Sequence, residues 1–218
     1  LIGISDCRKY VVKIGIAELD RKSHDILSEL EVISRLNKAG CESCPKLIHA
    51  GTVAVSELST MLEDDVGKNV LECGREELDW FILEYIETQD KVPFADVLFS
   101  LIEQKRLGVY QGDIKPANLR FSNNGVCFII DYDQAVELDA GISHLSFSEF
   151  LSWSNTHEKK KYGHNSWLRH FPKVSEETLL SYFKDGAFDL SRTSLYMRQA
   201  TTNTPNGVYH TLSFPDVF

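Results

Sequence analysis

The sequence predicts an α+β fold, and three observations carry that prediction. Strand-like stretches rich in β-branched and aromatic residues crowd the first 86 positions. Apolar residues at spacings of three and four mark amphipathic helices over Lys22–Lys38 and Pro93–Lys105. Two apolar runs joined through Asn123-Asn-Gly125 mark a hairpin, because Asn and Gly both tolerate positive φ.

Taken in order, Leu1–Ser5 and Lys9–Gly15 read as two strands around the turn Asp6-Cys7-Arg8. Tyr10-Val-Val12 suits a half-buried strand. The helix Lys22–Lys38 offers Ile26, Leu27, Leu30, Ile33 and Leu36 as its buried face and stops at Gly40. Lys46–Val55 and Asp79–Ile86 are strands, and the polar stretch Glu63–Glu77 between them reads as an exposed excursion with a solvated charge run. The helix Pro93–Lys105 turns Phe94, Val97, Leu98, Leu101 and Ile102 to one side. In the hairpin, Leu119–Ser122 pairs with Val126–Ile130, the latter apolar throughout, as a strand covered on both faces should be. Helical pattern returns in the aromatic pieces Phe147–Trp153 and Trp167–Phe171, and again over Ser175–Phe183. From Ala200 the chain is polar and turn-forming, and there is no internal repeat.

Length and composition bound the function. The 218 residues suit one domain or two small lobes, and 43% hydrophobic with 25% charged residues is ordinary globular composition. A net charge of −9, spread along the chain, argues against nucleic acid as a partner. No apolar run reaches the ~18–20 residues of a membrane span, although contact with a membrane surface remains compatible with the sequence. The five cysteines, without a secretory signal, fit reduced thiols and a cytoplasmic location. Cys41-Glu-Ser-Cys44 has the spacing of half a zinc site, but no second pair follows, so two unrelated thiols in a loop is the favoured reading. Opening on Leu1 rather than methionine, the chain is expected to be a piece of a longer protein.

The segment that carries chemistry is Gln111-Gly-Asp113-Ile-Lys115-Pro-Ala-Asn118, followed by Asp131-Tyr-Asp133 at the end of the buried strand. Two carboxylates, an amide and an ammonium are thereby brought to one hairpin. Phosphoryl transfer asks for these groups: oxygens for Mg²⁺, a base for the hydroxyl and a cation for developing charge.

On these residues the chain resembles the protein-kinase-like superfamily over nearly its whole length. The family's His-Arg-Asp-x-Lys-x-x-Asn loop corresponds to Tyr110-Gln-Gly-Asp113-Ile-Lys115-Pro-Ala-Asn118, and its Asp-Phe-Gly to Asp131-Tyr-Asp133. Tyr10-Val-Val-Lys13 is similar to the strand that carries the phosphate-binding lysine, and Glu29 to its helix partner, with Glu31 as a rival. Phe81-Ile-Leu83-Glu84-Tyr85-Ile86 resembles the hinge strand, with Leu83 as gatekeeper. The resemblance implies ATP and Mg²⁺ as cofactors. Asp113 would accept the hydroxyl proton and Lys115 steady the phosphoryl group. Asn118 and Asp131 would hold Mg²⁺, Lys13 paired with Glu29 would hold the phosphates, and the backbone of Glu84 and Ile86 would meet adenine. It also implies two lobes: a small β-rich N-lobe over residues 1–87 with its start truncated, and an abbreviated, mostly helical C-lobe over 88–199. A polar linker or tail spans 200–218, and the Gly-rich loop is expected before Leu1.

The departures narrow the reading. Gln111 and Gly112 replace the usual His and Arg, so no cation stands at 112 to receive an activation-loop phosphate. No Ala-Pro-Glu follows Asp131, which leaves the region that seats a peptide abbreviated. Gly112-Asp113 with Asp131-Tyr-Asp133 resembles bacterial kinases that act on lipopolysaccharide and other saccharides. Asp133 is a further candidate for a metal or lysine contact. A saccharide or glycolipid is therefore the favoured acceptor, with Trp153, His157, Tyr162, His164, Trp167, Arg169 and His170 as candidates to line a sugar cleft. A protein serine/threonine kinase is the nearest rival, kept open by Lys115-Pro116. A pseudokinase module is the rival from another class. Pro205–Leu212 loosely resembles segments leading into methyltransferase domains, although a polar linker followed by a strand explains the same residues.

Overall fold

The computed structural model describes residues 2–5, 7–15, 26–62, 64–87, 91–162, 183–184, 187–188, 196–198 and 210–211. Its architecture is α+β, and the chain divides into two compact units. One comprises Leu1–Asn37, Pro45–Tyr85 and Asn203–Phe218; the other comprises Lys38–Cys44 and Ile86–Thr202.

The first unit is built on a five-stranded sheet. Strands β1 (Ile2–Ile4) and β2 (Tyr10–Ile14) are followed by helix α1 (Ile26–Lys38) and strand β3 (Leu47–Ala54). Helices α2 (Val55–Met61) and α3 (Asp64–Leu71) then lead to strand β4 (Glu77–Glu84). The order is β1-β2-β4-β3, all antiparallel, and His210–Thr211 adds a parallel edge beside β1. Strand alternation decides which side chain faces which layer. Val12 and Ile14 join a core with Val55 and Leu58 of α2, Val70 of α3 and Leu78 of β4. Lys13, one residue out of step, points to the other face, where it meets Glu29 of α1.

Two expectations are corrected here. The stretch Glu63–Glu77 is not an exposed excursion: α3 packs on α2 and buries Val70. Its charged residues hid a short apolar set, and Gly67, which reads as a breaker, is a contact point. A Cβ there would lie 2.6 Å from the Ser59 carbonyl oxygen, so glycine lets the helices approach. In α1 the buried face is rotated from the expected one. Leu27 is 49% exposed, whereas Val32 and Glu29 are buried with Ile33 and Leu36.

The second unit holds strand β5 (Lys91–Pro93), helix α4 (Phe94–Arg106), strand β6 (Val109–Tyr110), the hairpin β7 (Leu119–Phe121) and β8 (Cys127–Ile129), strand β9 (Val136–Glu137), and helices α5 (Ala140–Ser143) and α6 (Phe147–Tyr162). Its core joins Val97, Leu98 and Leu101 of α4 to Tyr110, Ile114, Leu119, Ile129, Phe150 and Leu151. The hairpin turn departs from the expected form. Asn123 and Asn124 keep negative φ, Gly125 alone is left-handed at φ 80°, and its N–H bonds the Ser122 carbonyl. Helix α6 begins where expected, behind a capping box in which Ser146 N–H donates to Glu149 Oε2 at 2.9 Å and Glu149 N–H to Ser146 Oγ at 3.4 Å, and it runs past the expected end at Trp153 to Tyr162. Phe183, expected to end a helix, lies in a two-residue strand opposite Phe188. The rest of that helix, the aromatic piece Trp167–Phe171 and most of the 200–218 tail lie outside the described residues.

Candidate active site

Strand β6 delivers the Gln111–Asn118 loop by pairing Val109 and Tyr110 with Glu137 and Val136 of β9. The chain then turns through Gly112 at φ 83°. A Cβ on that residue would sit 2.3 Å from the Gln134 carbonyl oxygen, so neither arginine nor any other side chain fits without moving backbone. The departure at 112 is thus a packing requirement of this loop. Gln111, the other departure, is fully buried and joins two parts of the site. Its Nε2 donates to the carbonyls of Ile130 (3.1 Å) and Asp131 (2.5 Å), while its Oε1 accepts from the Asp113 N–H (2.9 Å).

Asp113, Lys115 and Asn118 come together as the spacing predicts. Lys115 Nζ lies 2.5 Å from Asp113 Oδ2, and Asn118 Nδ2 donates to the same oxygen at 3.1 Å and to the Asp113 carbonyl at 3.0 Å. Among the described residues Asp113 Oδ1 accepts no hydrogen bond, so one carboxylate oxygen remains open while the other is held. Glu158 of α6, which sequence reading passed over, supports the loop from beneath. It is buried, and its Oε1 accepts from Tyr110 Oη at 2.5 Å and from the Ile114 N–H at 3.3 Å.

The hairpin sets Asp131 beside this network. Ile130 N–H donates to the Asn118 carbonyl at 2.9 Å, continuing the β7–β8 ladder by one step. Asp131 follows at once in a left-handed conformation, φ 65°. Because Asn118 commits its Nδ2 to Asp113, its amide oxygen is left to act as a donor to a metal. One carboxylate and one amide oxygen at a hairpin end fit Mg²⁺, which takes one or two protein oxygens and completes its shell with water and phosphate. Asp133 accepts from Gln134 Nε2 at 3.1 Å. Among the described residues no group of three or more His, Cys, Asp or Glu is placed to hold a metal.

In the first unit Lys13 Nζ lies 2.6 Å from Glu29 Oε1, with side chains 13% and 5% exposed. Glu31 is exposed, so geometry chooses Glu29 as the partner. Leu83 is buried, pairing with Val11 across β2 and β4. Glu84 pairs with Tyr10, and its Oε1 accepts from the Lys46 N–H at 2.7 Å, which leaves the strand end firmly tied; Ile86 is half-buried just beyond it.

Two further candidates lie in packed surroundings. Cys41 and Cys44 are both buried, Cys41 Sγ lies 3.4 Å from Ser43 Oγ, and burial pushes the Cys41 thiol up to about 11. Trp153 stacks between Phe150 (centroids 5.7 Å) and His157 (5.1 Å), with Tyr110 edge-on at 5.6 Å. Trp153 is half-buried, and these contacts pack it against the core. The side chain of Tyr162, and all of His164, Trp167, Arg169 and His170, lie outside the described residues.

No helix among the described residues is long and apolar enough to cross a membrane. No family model matches the chain, and no curated protein matches it. Among solved structures the chain is similar to the crystal structure of WbdD, at 13% identity and a TM-score of 0.40. The match covers 79% of this chain and 46% of that one, so the chain spans less than half the length of WbdD.

Proposed function

We propose that the chain is a kinase-like, two-lobed phosphotransferase that moves the γ-phosphoryl group of ATP to a hydroxyl, with Mg²⁺ as cofactor. The observation that carries this reading is the Asp113 network: a carboxylate with Oδ2 fixed by Lys115 and Asn118, and Oδ1 open. Asp113 takes the proton of the acceptor hydroxyl as its oxygen forms the new P–O bond. The bond to the departing nucleoside diphosphate breaks, and Lys115 offsets charge on the transferring group. Asn118 and Asp131 hold Mg²⁺, which neutralises phosphate charge when bound. Lys13, oriented by Glu29, holds the nucleotide phosphates, and the backbone at Glu84 and Ile86 receives the base.

The proposed acceptor is a saccharide or glycolipid hydroxyl. Its support lies in the sequence: Gly112-Asp113 and Asp131-Tyr-Asp133 resemble saccharide kinases, and no Ala-Pro-Glu segment follows to seat a peptide. ATP labelled at its γ-phosphate, incubated with Mg²⁺ and either lipopolysaccharide oligosaccharides or casein and myelin basic protein, tests the reading. Label on saccharide with little on protein is expected. Serine or threonine labelling without a saccharide product would transfer the reading to a protein kinase. No transfer and no Mg²⁺-dependent ATP binding would end it.

A further inference from the structure

Asp131 occupies a left-handed conformation at φ 65°, which is uncommon for a residue with a side chain and persists where surroundings over-determine it. Gln111 supplies one restraint through the Asp131 carbonyl. The other is Tyr132, whose ring and hydroxyl are almost completely enclosed. Its hydroxyl accepts from Gln104 Nε2 of α4 at 2.7 Å and has a hydrogen bond with Cys44. These partners are themselves braced. Ser43 donates its N–H to Glu103 Oε2 at 3.0 Å, and its carbonyl accepts from the Ile129 N–H of β8 at 2.9 Å. An apolar ring at 132 would be held by packing alone and could rotate out of its socket at the cost of contact area. This one must also break two buried hydrogen bonds.

We propose that Tyr132 is a positioning residue: its hydroxyl, clasped by Gln104 and Cys44, locks Asp131 in its metal-holding conformation without help from a covalent modification. This rests on the phosphotransfer reading, since it assigns the locked carboxylate to Mg²⁺. Removing the hydroxyl in Tyr132→Phe leaves the Gln104 amide buried and unpaired, so that variant loses stability for a trivial reason. Tyr132→Phe/Gln104→Met removes both partners and is expected to recover much of that loss. The informative readouts are those that stability alone does not move.

The first is hydrogen exchange of the Ala135 amide, which donates to the Tyr132 carbonyl at 3.0 Å, measured on the full chain without nucleotide. The second is the Mg²⁺ concentration giving half-maximal thermal stabilisation by ATP. Both variants are expected to exchange at Ala135 about tenfold faster and to need about tenfold more Mg²⁺, while ATP affinity without metal stays unchanged. Wild-type exchange and wild-type Mg²⁺ dependence in the double variant would overturn the lock and leave the phosphotransfer reading standing. Faster exchange with unchanged Mg²⁺ dependence would equally overturn the positioning role. If the wild-type chain shows no Mg²⁺-dependent stabilisation by ATP, the phosphotransfer reading falls and takes this assignment with it.

Discussion

Gly112→Ala is the substitution for which the structure gives the most explicit magnitude. Two separate terms apply. A left-handed φ of 83° costs an alanine about 1–2 kcal/mol. The new Cβ would also lie 2.3 Å from the Gln134 carbonyl oxygen, a backbone atom that cannot swing aside, and forced shifts of this kind cost about 1–3 kcal/mol. Against these stands about 0.4–1 kcal/mol gained by stiffening the unfolded chain. The sum is a loss of about 1–5 kcal/mol. Gly125 supplies the control, because its φ is 80° but a Cβ there meets nothing within 4 Å. Gly125→Ala therefore carries the conformational term and the same unfolded-state gain without the clash, for a loss of about 1 kcal/mol. Urea denaturation of the two variants, compared by midpoint at constant slope, isolates the clash as the difference. A difference of about 1–3 kcal/mol is expected. Equal losses would refute the claim that the site loop is packed against Gln134 and that the missing arginine has a steric cause.

Other expectations follow the same reasoning. Glu29→Gln removes the carboxylate that lies 2.6 Å from the largely buried Lys13 ammonium and should cost up to about 3–5 kcal/mol and weaken ATP binding, whereas Glu31→Gln, exposed, should stay within about 0.5 kcal/mol; calorimetry on both variants checks this. Burial raises the Glu103 carboxyl, but hydrogen bonds from Ser43 and the Glu42 amide outweigh it and hold the group below its ordinary 4.5. The ionised form is thus favoured by folding, so its stabilisation is present above about pH 4.5 and is lost as pH falls through the lower folded value. Glu103→Gln should therefore lower the melting temperature by several degrees at pH 7 and by little near pH 3; an equal deficit at both would contradict it. Ser146→Ala should cost about 1 kcal/mol through the lost cap of α6, and phosphatase treatment should leave any phosphotransfer rate unchanged, since Ser143 and Ser146 are engaged with Leu138 and Glu149.

What could be read from the sequence was local. Asp113, Lys115 and Asn118 lie within six positions, and a following hairpin with a plain turn signal fixes where Asp131 falls, so spacing alone assembles that network. The partner of Lys13 was also within reach: Glu29 is four residues before Ile33 and seven before Leu36, on the face those residues bury, whereas Glu31 is not. Glu158 could not be found this way, because it reaches Tyr110 from 48 positions away and no local pattern marks it. Gln111 and Gly112 were legible as departures but not as parts. Only packing shows that the amide bridges Asp113 to Asp131 and that the glycine answers to Gln134. Helix α3 escaped because charged residues surround its few apolar positions, and α2 because its seven residues are mostly small and polar and bury only Val55 and Leu58.

The central claim is that Asp113 receives the acceptor's proton in a phosphoryl transfer. Single-turnover transfer from γ-labelled ATP to the acceptor saccharide, in wild type and Asp113→Asn, tests it most directly. The amide keeps the shape of the side chain but cannot take the proton, so the transfer rate should fall by about 10²–10⁴ while Mg²⁺-dependent ATP affinity is preserved. A transfer rate within a few-fold of wild type, with the same acceptor and at the same pH, would contradict the account.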